Sequence, residues 1–241
     1  GSLFRNMGGT SSAAPKAGSG AILLASLGLV HPFAIKAVLL NSAQAWTSNN
    51  TQTTSDDGPV PGSHWDVTFG WGYLDLYRAY FNGLDVFVDT VDSPSRPGTP
   101  FKFYVGPMFA YEKATLVWHR HVAYNGSAYP NRIEDLSNLD LFLYDQNTGN
   151  LLASSTSPRD NVEQLHTPTN GFFVIKVKAG GPFDPDIPVQ AFALATEENF
   201  ARAEGPSLRV KIFVPGSVRR NEIFGIDVEV HISLLILLIL L

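Results

Sequence analysis

The chain has 241 residues, of which 44% are apolar and 16% charged, so it can build a packed core and is not a disordered segment. Seventeen basic against 22 acidic side chains give a net charge of −5, and no basic stripe is visible, which argues against a nucleic-acid binder. Cysteine is absent, excluding thiolate chemistry, disulfides and Cys-type zinc sites.

The beginning reads as an interior cut. Residue 1 is Gly, and no basic stretch, apolar block and small-residue cleavage site follow it. Ser11 to Val30 is rich in Ala, Gly, Leu and Ser with Lys16 as its charge, the pattern of a helix buried on nearly all sides. Its small residues, among them Ala13, Ala17, Gly20 and Ala21, should let neighbouring backbone come close. Pro32 suits a first helical position, and Phe33, Ala37 and Leu40 then recur at helical spacing. Thr47 to His64 is polar and rich in turn formers, hence a long surface loop. Asp75 is placed to cap a short helix, Leu76 to Phe81, closed by Asn82-Gly83.

After Gly83 the apolar period changes to two. Phe101, Phe103 and Val105 alternate, as do Leu139, Leu141 and Leu143, then Phe173, Ile175 and Val177, then Val189, Ala191, Ala193 and Ala195. Such short strands between turn residues predict an antiparallel sandwich. Asn147-Thr148-Gly149-Asn150 should turn a hairpin between Leu143 and Leu151. Beyond Gly205-Pro206, residues 208–214 and 224–232 alternate again, either completing the sandwich or opening a further module. Leu234 to Leu241 is an unbroken apolar run, far shorter than the ~20 residues of a membrane span. A truncated anchor, a buried strand and an artefact all fit it; truncation or an artefact is the reading taken. The expected division is therefore 1–83, 84–203 and 204–241.

One stretch carries chemistry: Gly8-Gly9-Thr10-Ser11-Ser12-Ala13-Ala14-Pro15. Two glycines permit a tight approach, and Thr10 can cap. Ser11 then sits at the amino end of an apolar helix, where unpaired N–H groups and a partial positive charge favour a developing oxyanion. Pro15 cannot donate to the carbonyl of Ser11, which loosens the first turn.

That stretch resembles the G-T-S-x-A-A-P nucleophile motif of the subtilisin-like serine proteases. The Met7-Gly8-Gly9 lead is similar to that of the oxidatively stable alkaline protease branch. His31-Pro32 followed by Ile35 to Ala43 resembles the next helix of that family, and Phe69-Gly70-Trp71-Gly72-Tyr73-Leu74-Asp75 resembles the segment closing its catalytic domain. Leu116-Val117-Trp118, Ser137 to Leu141, Asn161-Val162-Glu163 and Asn170 to Val177 resemble its C-terminal sandwich, so the resemblance covers about residues 5 to 200. It implies the C-terminal helical part of an α/β catalytic domain followed by an all-β jelly-roll-like sandwich. It further implies Ser11 as nucleophile and oxyanion donor, Gly9 and Thr10 as turn support, and protein or peptide substrates. The Asp, the His and the oxyanion amide should lie before residue 1, so this chain alone should be inactive. No cofactor is required. Structural calcium and a secreted or cell-surface location follow from resemblance alone. Ser12, where many members have Met, removes an oxidation target beside the nucleophile.

The remaining candidates are weaker. His31 reads as a residue leading into a helix, and His64 as a base only if the family order were broken. His119 and His121, read as sharing one strand face, could chelate a metal. Asp89, Asp92, Asp140, Asp184 and Asp186 supply oxygens without EF-hand spacing. The aromatics are read mostly as strand-face core, with a sugar-binding platform as the alternative. Asn49 and Asn125 begin glycosylation acceptor triplets. The competing class is a noncatalytic β-sandwich binding or structural module carrying a degenerate protease remnant.

Overall fold

The structure is a computed structural model that describes residues 9–44, 65, 70–81, 85–123, 133–203, 207–210 and 228–231. His64, Asn49, Asn125 and the apolar tail 234–241 lie outside these residues. Three helices come first: α1 (Thr10–Ser26), α2 (Pro32–Ser42) and α3 (Leu76–Phe81). Helix α1 stops four residues short of the predicted Val30. Gly28, at φ 95°, places its N–H on Ala25 O while Leu29 N–H reaches Leu24 O, a Schellman close that needs a left-handed residue. Helix α2 starts on Pro32 as expected. Helix α3 has the predicted bounds, and Asp75 caps it by accepting from Arg78 N–H at 3.0 Å.

The expected burial of α1 is not met. Of its 17 residues only Gly20 and Leu24 are buried, and Ile22 is 73% exposed. Among the described residues it packs chiefly on α2 and α3, so one stripe is covered. Gly20 makes that contact, since a Cβ there would lie 2.5 Å from Leu76 Cδ2.

Eleven strands follow in sequence up to residue 203: β1 (Val86–Asp92), β2 (Phe101–Met108), β3 (Lys113–Trp118), β4 (His121–Ala123), β5 (Ile133–Asp135), β6 (Leu139–Asp145), β7 (Leu151–Ser155), β8 (Val162–His166), β9 (Gly171–Ala179), β10 (Val189–Ala195) and β11 (Ala201–Ala203). Nine of them form two antiparallel sheets, ordered β1-β10-β3-β8 and β11-β2-β9-β6-β7, while β4 pairs with β5. The two sheets face each other across one core of alternating side chains, the pattern of a β-sandwich. Leu116 and Trp118 of β3 and Phe192 and Leu194 of β10 meet Leu141, Leu143, Ile175 and Val177 of the other sheet. Trp118 is fully buried and donates through Nε1 to Ser137 O at 2.7 Å. The hairpin β6–β7 turns on residues 146–150 as predicted. Asp145 Oδ1 accepts from Thr148 N–H at 2.7 Å and Asn147 N–H at 3.0 Å, and Gly149 takes φ 70°.

The second face of the four-stranded sheet is also covered. Ala34, Ala37 and Val38 of α2 pack with Val117, Val162, Ala193 and Ala195, so β3 is buried along its whole length. The small side chains of β10 give the helix room. Polar contacts fix the seam: Thr115 donates to Asn41 Oδ1 at 2.8 Å, and Gln164 Nε2 donates to Thr115 Oγ1 at 2.7 Å. Lys113 donates to Ala43 O, placing a cation at the negative end of α2, and burial lowers its pKa to about 8. Glu197 holds both Lys113 N–H and the Arg78 guanidinium, tying α3 to the sandwich.

The five-stranded sheet differs. Phe101, Phe103 and Val105 alternate, but away from the core; Tyr104 and Met108 point inward, fully or almost fully buried. Reading these phenylalanines as core is therefore corrected: the period is right and the face is not, because both faces of β2 are apolar. The strands β12 (Ser207–Val210) and β13 (Val228–His231) pair with each other and not with either sandwich sheet, Leu208 opposite Val230. Among the described residues no helix is long and apolar enough to cross a membrane.

Candidate active site

The predicted nucleophile lies at the start of α1. Gly9 is the N-cap, at φ 84° and ψ 178°, a conformation that a side chain strains. Its carbonyl accepts from Ser12 N–H at 3.0 Å and Ala13 N–H at 3.1 Å. The cap carries no side-chain hydrogen bond, so Thr10 does not cap; it is the first helical residue. That correction follows from geometry, because Gly9 already supplies the turn and Thr10 has entered the helix.

Ser11 is the second helical residue and is exposed. At this position its N–H has no carbonyl four residues back inside the helix, so the helix itself does not satisfy the donor. No acidic residue occupies the first turn, so the helix does not compensate its own positive end. Pro15 lies within α1, and Ser19 Oγ donates to its carbonyl at 2.8 Å. The site thus offers an exposed hydroxyl, a backbone donor with no acceptor among the described residues, and a helix dipole. Among the described residues no imidazole or carboxylate bonds to the Ser11 hydroxyl.

A groove of about 420 Å³ opens nearby between α1, α2 and residues 71–74, with Ala17, Ala21, Leu39 and Trp71 in its walls. Ser11 is not among its lining residues. Gln44 and Tyr73, next in sequence to the lining residues Ala43, Gly72 and Leu74, pair through two backbone hydrogen bonds at 2.8 and 2.9 Å.

The other candidates separate. His31 lies against Phe33 with the rings tilted by 34°, and Phe33 meets His119 edge to face at 5.2 Å. The expected shared strand face of His119 and His121 is not present. Strand β3 ends at Trp118 and β4 begins at His121, whose Nε2 lies 3.0 Å from Gln190 Oε1. Asp89 is engaged by Arg202 at 2.9 Å and by Lys102, and Asp92 Oδ2 accepts from Thr99 N–H. Asp140 accepts from Asn138, and Asp184 from Asp186 N–H. Among the described residues no three His, Asp or Glu side chains converge as metal ligands.

Sequence reasoning missed one perturbed acid. Glu163 on β8 is 2% exposed and spans the gap to β7 of the opposite sheet. Ser155 Oγ donates to its Oε2, and Ser157 N–H to Oε1 at 2.6 Å. Burial, with Asp160 and Asp140 adding like charge, raises its pKa to about 7. A Glu between Val162 and Gln164 gives no local signal of this; only the pairing of β3 with β8 turns it inward. The chain matches no family model, and a search of curated proteins found no match.

Proposed function

We propose that the chain belongs to a secreted serine endopeptidase of the subtilisin-like kind, with Ser11 as its nucleophile and proteins or peptides as substrates. The observation that carries the reading is an exposed serine at the positive end of α1, in a first turn without an acidic residue and behind a left-handed Gly9. In the proposed reaction Ser11 Oγ attacks the scissile carbonyl and its proton passes to an imidazole. The resulting oxyanion is held by the Ser11 N–H. The tetrahedral species collapses, the C–N bond breaks, and the amine leaves with that proton. Water then hydrolyses the acyl ester and restores the hydroxyl. The imidazole, its orienting carboxylate and a second oxyanion donor would be encoded ahead of residue 1. The sandwich, proposed to be jelly-roll-like, would brace the helices from below through α2.

The test is a fluorophosphonate label on the full-length protein. Labelling that disappears in Ser11→Ala supports the proposal. Equal labelling of both forms, or none of either, supports the noncatalytic sandwich module instead.

A further inference from the structure

The five-stranded sheet turns an aromatic face outward. Its register places Phe103, Lys176 and Phe142 side by side across three adjacent strands, roughly 10 Å from first to last. Phe101 flanks this row on β2, Tyr144 on β6, and Phe172, 58% exposed, lies one end further along β9. The helices pack on the other sheet; on this face Phe101, Phe103, Phe142, Tyr144 and Lys176 are half-buried. Phe142 and Tyr144 lie as near neighbours with their rings only 32° apart, a shallow platform rather than a cleft.

Lys176 gives the platform its chemistry. Its ammonium sits 5.5 Å from the Phe101 ring centre and 5.6 Å from that of Phe103. Among the described residues it has no carboxylate partner; Lys178 on the same face adds like charge but stands opposite the carboxylate of Asp140, which offsets it. A cation held against two rings and lacking a counter-ion marks a surface complementary to an anion with an apolar body. A peptide is the poorer match. Peptides gain affinity by adding a strand to a sheet edge, and over a sheet face their amides would lose water with nothing to replace it. A pyranose ring presents an apolar C–H face to an aromatic side chain, and an acidic sugar adds the carboxylate.

We infer that the Phe103–Lys176–Phe142 face binds an acidic polysaccharide of the uronic acid class, sugar rings on the aromatics and a carboxylate on Lys176. The inference is independent of Ser11, and the Ser11→Ala protein should bind unchanged. The experiment is native gel electrophoresis of the full chain through polygalacturonate, with neutral β-glucan and polyglutamate gels alongside. Polygalacturonate should retard the protein, and Phe142→Ala and Lys176→Gln should each weaken retardation at least tenfold with unchanged melting temperatures. If Phe142→Ala unfolds, Lys176→Gln at the surface decides. Absence of retardation, retention of it in Lys176→Gln, or equal retardation by polyglutamate or by neutral β-glucan would overturn the assignment.

Discussion

Glu163 should make the sandwich less stable as pH rises, and Glu163→Gln should abolish that loss. The carboxyl moves from an ordinary value of 4.5 in the unfolded chain to about 7 in the fold. Between those values the folded protein keeps a proton that the unfolded chain has released, so stability falls with increasing pH. Each pH unit in the window is worth about 1.4 kcal/mol, giving roughly 3 kcal/mol lost between pH 4.5 and 7 and little further change above. Glutamine has the same shape and no charge. Its carbonyl can accept from Ser157 N–H, and its amide can donate to a rotated Ser155 hydroxyl. Near pH 4.5 the two proteins should therefore melt alike, while at pH 8 the variant should be more stable by up to roughly 3 kcal/mol, or about 6–12 °C in Tm. Urea unfolding of both across pH 4.5–8.5 measures the difference directly, and other titrating groups cancel. Parallel profiles, or a variant weaker at pH 8, would refute the assignment of a neutral acid between the sheets.

Asn41→Ala should cost about 1–3 kcal/mol in chemical denaturation, because it strands the buried Thr115 hydroxyl. Adding Thr115→Val should cost less than the two single changes summed, and additive losses would show that the pair is not coupled. Ala193→Leu, fully buried where α2 meets the sheet, should lose about 1–3 kcal/mol by overpacking. Ala191→Leu, half-buried on the same strand face, should stay within about 0.5 kcal/mol.

Short-range chemistry carried most of the legible structure. Helix α3 could be read because Asp75 caps it locally, and the β6–β7 turn because Asp145, Thr148 and Gly149 act locally. The end of α1 was equally local, yet an apolar stretch running to Val30 masked the stop at Gly28. Burial was harder to read. The composition of α1 says that it would accept neighbours on every side, not which neighbours are there. On β2, phenylalanines on one face and Tyr104 and Met108 on the other gave alternation without direction. The Asn41–Thr115–Gln164 chain joins residues 74 and 49 positions apart, a distance over which no spacing rule operates. Of the candidate site, the position and exposure of Ser11 follow from the Gly9 turn; what would activate it does not.

Strand β3 has apolar cores on both sides, so it cannot loosen toward one without disturbing the other. A cut between residues 81 and 85 would not yield an indifferent sandwich, because removing α2 would wet Val117, Ala193 and Ala195 and strip Lys113 of its carbonyl acceptor. The serine at the far end of α1 thus rests, through Leu24 and α2, on a strand some hundred residues away in sequence. Denaturants, heat or substitutions acting deep in the β layer should be felt at that hydroxyl as a change in where it is held.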